Sequence, residues 1–114
     1  MYCGGTTVGN LQLTSSGALQ LRDGSTQLGA NSATLSVGTV YRIGIHQKKG
    51  SGGNAVLEAY LAVGSAVFGS PFASGTTETF TTQATQFRLG ATTATAVNMV
   101  VDDIRLDTAA MPAP

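Results

Sequence analysis

Three consecutive stretches decide the fold: TVYRIGIHQK at 39–48, KGSGGN at 49–54 and AVLEAYLAV at 55–63. In the first, Tyr41, Ile43 and Ile45 alternate with Arg42, Gly44 and His46. A period of two in β-branched and aromatic residues is the pattern of a half-buried strand. The second stretch holds three glycines in six residues and reads as a loop. In the third, Leu57, Ala59, Leu61 and Val63 share one side and Glu58 and Tyr60 the other. Together they predict a hairpin with one apolar and one polar face.

The same alternation extends outward. Leu11 and Leu13, then Leu19 and Leu21, alternate with polar residues, and Asp23-Gly24 tolerates the positive φ of a tight turn. Short strands are expected at 27–28, 33–36 and 66–68. A threonine-rich strand is expected around Phe80, one at 85–89 with Phe87 and Leu89 inward, and a last one at 96–106. No stretch has convincing helical periodicity. Some eight to ten short strands with regular turn signals predict an all-β chain, an antiparallel β-sandwich or barrel. The expected organisation is a single domain over 1–107, with a flexible start at 1–8 and an extended tail at 108–114.

Composition bounds the function. The 114 residues suffice for one domain. Charged residues are 11 % of the chain, against about 25 % in a typical globular protein. Glycine, threonine, serine and alanine take their place. Six basic and six acidic residues cancel. No basic patch exceeds Lys48-Lys49, which argues against nucleic-acid binding. No apolar run approaches the ~20 residues of a membrane span. Near-zero net charge gives little protection against self-association. Cys3 is the single cysteine, so no internal disulfide is possible, and the first residues carry no secretory signal.

Catalytic readings fare poorly. His46 is the only histidine, which leaves no multi-histidine metal centre. No Gly-x-Ser-x-Gly elbow is present. Glycosidase chemistry needs two carboxyl groups about 5–10 Å apart, and the candidates Glu58, Glu78, Asp102 and Asp103 follow no such pattern. The chain is therefore read as not an enzyme. If the leucine and isoleucine positions define the inside, Arg42, His46, Glu58, Tyr60, Gln86 and Arg88 point away from the core. Tyr60 could stack on a sugar ring while the others hydrogen-bond. A solvated or subunit-facing sheet is the alternative.

Leu19–Gly24, Val37–Ile45, Leu57–Leu61, Phe87–Gly90 and Val100–Leu106, in that order, resemble the laminin-G-like, concanavalin-like jelly rolls. In that family a G-x-W/Y-Y/H-R-I strand precedes an L-x-L-Y-L-D-G strand, and a D-D-V/I-x-L strand closes the domain. The E-x-D-x-x-E signature of its hydrolases is absent. The resemblance implies a jelly roll shortened at its N-terminus, with an exposed edge for another chain to complete, as a homo-oligomer or by strand addition. It also implies a structural Ca²⁺ on Asp103 and then Asp102, although no cofactor is required. Pairing of both aspartates with Arg88, Arg105 or backbone amides is the alternative. The expected function is a non-catalytic structural or adhesion module on a virion or extracellular surface, such as a phage decoration or tail-associated protein partnered by other virion proteins. The runner-up is a carbohydrate-binding module of a larger secreted bacterial protein.

Overall fold

The computed structural model describes residues 1–3, 6–76, 84–90 and 99–107. Its strands are β1 (Tyr2–Cys3), β2 (Thr6–Thr7), β3 (Asn10–Leu13), β4 (Leu19–Asp23), β5 (Thr26–Gln27), β6 (Tyr41–Lys48), β7 (Val56–Val63) and β8 (Ala73–Gly75). They form two antiparallel three-stranded sheets, β3-β4-β5 and β6-β7-β8, and β1 pairs with β2. The only helical element among the described residues is a 3₁₀ turn at Gly52–Asn54, inside the expected hairpin loop. Among the described residues, no helix is long and apolar enough to cross a membrane. Apart from that turn, the regular structure of the described residues is all β, as the alternation requires.

Turn chemistry sets the register of the first sheet. Asp23 pairs with Thr26 across Gly24-Ser25, and Gly24 takes the positive φ of 55° that such a short connection needs. Beyond β5 the chain keeps following β4: Leu28 N donates to Leu21 O and Ser32 N to Leu19 O. The Ser32 hydroxyl accepts from Leu19 N at 2.8 Å and donates to Ala33 O at 2.7 Å. Both of its hydrogen-bonding roles are thereby used inside the fold.

The core lies between the sheets. Leu21 of β4 and Leu57 of β7 are its largest fully enclosed side chains, joined by Val8, Leu28, Ala55, Ala59 and Ala73. Alanine at three of these positions lets the backbones approach. A Cβ on buried Gly9 would stand 2.5 Å from a Leu57 methyl, and one on Gly29 would stand 3.1 Å from the Ala73 backbone. The opening residues, expected to be flexible, form the β1–β2 pair and deliver Val8 to this core.

Several strand expectations need correction. Ile45 packs against the core, but Ile43 on the same face is exposed and Tyr41 only half-buried. Phe87 and Leu89, expected inward, are exposed, and only Gln86 of that segment makes a β-bridge. Residues 66–68 form no strand, whereas β8 forms where none was expected. The closing strand is absent over 99–107, which is exposed throughout. The reason is local. The Asp102 carboxylate accepts the Asp103 amide at 2.9 Å and Asp103 turns to φ 39°, and such side-chain bonds compete with the sheet ladder. The strand expected around Phe80, most of the approach to the closing strand and the tail at 108–114 lie outside the described residues.

Candidate functional site

The β6–β7 hairpin brings four of the six expected site residues together. Its register pairs Tyr41 with Val63 and runs to Lys48 opposite Val56. Arg42, Gly44 and His46 therefore stand opposite Ala62, Tyr60 and Glu58, on the face turned away from Leu57. Ser74 of β8 lies opposite Glu58 on the other side.

Glu58 is the hub. Its Oε2 lies 2.9 Å from His46 Nδ1 and accepts the Tyr60 hydroxyl at 2.8 Å. The bond from His46 holds the Glu58 carboxyl below the usual carboxylate range, and the Tyr60 bond adds to this. Tyr60 is displaced the other way, to about 12, first by burial and then by the adjacent carboxylate. A phenol held neutral in this way is a donor and not a base.

Phe68 completes the cluster, and sequence reasoning missed it. Its ring centroid is 5.8 Å from that of Tyr60, with the planes tilted by 57°. The Arg42 guanidinium lies 4.7 Å from the same ring, in cation–π range, and Arg42 Nη1 donates to Ala66 O at 2.9 Å. The connection after β7 turns at Gly64, φ 57°, and folds back over the sheet. The available signal was the phenylalanine itself, stranded between Gly64 and Gly69 with no alternation around it.

Gln86 and Arg88 bond to each other at 3.0 Å. Their segment is tied to β6 by Ala84 N donating to the Gln47 side chain at 2.8 Å. No hydrogen bond or ring contact among the described residues links the pair to the cluster of four.

The arrangement offers one carboxylate, one imidazole, a guanidinium and two aromatic rings on a sheet surface. Such a face can contact a polar, partly flat ligand. Glu58 is the only carboxyl group bonded into this cluster among the described residues, and Glu78, another of the carboxyl candidates, lies outside them. The aspartates expected to hold calcium both stand on the segment 99–107. Asp102 already accepts a backbone amide, both residues sit on an exposed segment, and no three acidic, cysteine or histidine residues gather among the described residues. Calcium takes six to eight oxygen ligands. The Arg105 side chain instead lies 3.5 Å from Asp107. No family model matches the chain, and no curated protein or solved structure is similar to it at a significant level.

Proposed function

We propose that this chain is a non-catalytic β-sandwich module of jelly-roll type that acts by assembling with copies of itself on a virion or extracellular surface. One observation carries the reading. The core-side face of β6 and β7 is covered over only part of its length: Leu57 and Ala59 are fully buried, while Ile43 and Val63 on the same face are 47 % and 59 % exposed. That face, made of Tyr41, Ile43, Ile45, Gln47, Leu57, Ala59, Leu61 and Val63, contains no charged residue. A second copy meets it without like-charge repulsion, and an apolar face left open favours association. The surface location rests on the low charge and the hydroxyl-rich composition. Sedimentation at micromolar concentration tests the proposal. A symmetric oligomer that Ile43→Glu dissociates is the expected result; a wild-type monomer refutes it.

A second reading, carbohydrate binding, is favoured by the Tyr60–Phe68–Arg42 arrangement. Aromatic faces and bidentate donors are what sugars require. Glycan-array binding abolished by Tyr60→Ala supports it, and an array without hits removes it.

A further inference from the structure

We infer that the end of the β6–β7 hairpin remote from its glycine-rich loop is a membrane-docking tip, whose valines enter the interfacial layer of a lipid bilayer without crossing it. Two turns lie side by side there. The turn before β6 closes through Thr39 N donating to Ser36 O at 3.3 Å, with Val37 and Gly38 at its corner and Gly38 at φ 80°. The turn after β7 closes through Ala66 N donating to Val63 O at 3.1 Å, and Gly64 N donating to Val40 O at 2.8 Å joins the two. Both are anchored from below: Tyr41 Oη accepts Ser36 N and Arg42 Nη1 donates to Ala66 O, each at 2.9 Å. On this fixed base Val37 is 105 % and Val40 74 % exposed, and Val67 is exposed too. Turns are ordinarily built from glycine, proline, asparagine, aspartate and serine. Valine meets no need of the turn, and left wet it gains from apolar contact.

Lipid is the occupant that this tip fits. Val37 projects as far as it would from an extended chain, so a protein partner must bring a pocket, whereas acyl chains yield around it. The sequence carries no charged side chain at 24–41 or at 59–77, so the two turns enter without desolvating an ion. Counted along β6 from Val40, Arg42 comes after two residues, about 7 Å at the rise of a strand. His46, opposite Glu58, comes after six, about 20 Å. An apolar face resting in a bilayer interface sinks by about 5–10 Å. That depth covers the valines, sets the Arg42 cation among the phosphates and leaves Glu58 in water. Tyr41 and Phe68 flank Arg42, at the level where aromatic side chains collect in membrane proteins. Val37, Val40 and Val67 lie outside the sheet face tested by Ile43→Glu, so either reading can fail without the other.

Flotation of the full chain with vesicles of phosphatidylcholine, with and without phosphatidylserine, tests this. Wild type should float with both, and phosphatidylserine should strengthen binding about fivefold, the worth of one cation near an anionic leaflet. Val37→Asp combined with Val40→Asp should weaken binding by at least about tenfold, since two valines no longer leave water. Depth is read separately. The chain has no tryptophan, so Val37→Trp places a single reporter on the tip. Its emission should shift to the blue with vesicles and be quenched by lipids brominated on their acyl chains. Ser51→Trp, in the loop at the other end of the hairpin, should show neither change. Equal quenching of the two reporters overturns the proposal, and so does undiminished binding of the double aspartate variant. A wild type that floats with neither vesicle overturns it as well; dissociation of the oligomer by the double aspartate variant would then assign the tip to a second copy of the chain.

Discussion

Gly29 and Gly24 both adopt left-handed backbone, φ 66° and 55°, yet they differ in what surrounds them. A Cβ on Gly24 meets nothing within 4 Å, whereas one on Gly29 stands 3.1 Å from the Cα and Cβ of Ala73 and from Ser74 N. Alanine at either position incurs the left-handed cost of ~1–2 kcal/mol for an L-residue. It recovers ~0.4–1 kcal/mol by stiffening the unfolded chain. Gly24→Ala should therefore cost about 1 kcal/mol. Gly29→Ala bears the same cost and must also push back the backbone of β8. That backbone is held by the Ala59–Ala73 pairing and by Phe72 N donating to Ala59 O at 2.9 Å. Overpacking of this kind adds ~1–3 kcal/mol, for a total of ~2–4 kcal/mol.

Urea unfolding of the two variants against wild type measures the difference directly. In melting temperature, at ~4–8 °C per kcal/mol for a chain of this size, Gly24→Ala should lose about 5 °C and Gly29→Ala two to four times as much. The subtraction removes the shared backbone cost and isolates the approach of the two sheets. Equal losses would refute the reasoning, because Gly29 and Ala73 would then not touch and the sheets would not face each other there.

Leu57→Ala should cost ~2–5 kcal/mol in urea unfolding, since Leu57 is fully enclosed and presses on Gly9, while Ile43→Ala in the monomer should cost well under half of that. In an ultraviolet titration one tyrosine should ionise near 12; Tyr60→Phe should remove that step and Glu58→Gln should lower it. Because the folded value exceeds the unfolded one, this contribution to stability is complete below pH ~10 and is lost as pH rises towards 12. Glu58 has the opposite sign: its lowered carboxyl stabilises the fold above the unfolded value of ~4.3, and the contribution disappears as pH falls through the folded value. With His46 half-exposed the effect should stay within ~1 kcal/mol, so His46→Ala should flatten the acid limb of the stability curve only slightly. If folding is coupled to assembly, the melting temperature should rise with protein concentration; constancy over a hundredfold range would show that the chain is stable alone.

The hairpin was legible in the sequence because two periodic runs flank a loop that can be nothing else. Given that loop, the register bringing His46 opposite Glu58 follows closely, and so does the split into a Leu57 face and a Tyr60 face. Burial along the inward row was less legible. Alternation tells which residues share a face but not how far the opposing sheet extends over it, so Ile45 is covered and Ile43 is not. Phe68 and β8 were hidden for a different reason. After Gly64 the chain has no period, and its path over the sheet is fixed by the Arg42–Phe68 and Arg42–Ala66 contacts, which are non-local. At 99–107 the hydrophobic pattern pointed to a strand, while the adjacent aspartates supplied a local bond that competes with one.

The distribution of apolar residues ties these outcomes together. Apart from Leu21, Leu57, Leu19, Leu28 and Val8, the buried apolar side chains among the described residues are alanines, while Val37, Val40, Ile43, Val63, Val67, Ile104 and Leu106 lie exposed. A self-sufficient domain places its large apolar residues inside. Here alanine brings the sheets close at Ala59 and Ala73, and that proximity leaves no room there for larger groups. The volume excluded from the core is carried on the open half of the β6–β7 face and on 99–107. The polar face of the same hairpin is meanwhile self-satisfied: Glu58 accepts from His46 and Tyr60, and Arg42 is engaged by Phe68 and Ala66. Groups bound to one another gain less from a new partner than an uncovered Ile43 does from losing its water. On that balance the apolar side of β6 and β7 has more to gain from a partner than the polar side, which is why assembly ranks above ligand binding.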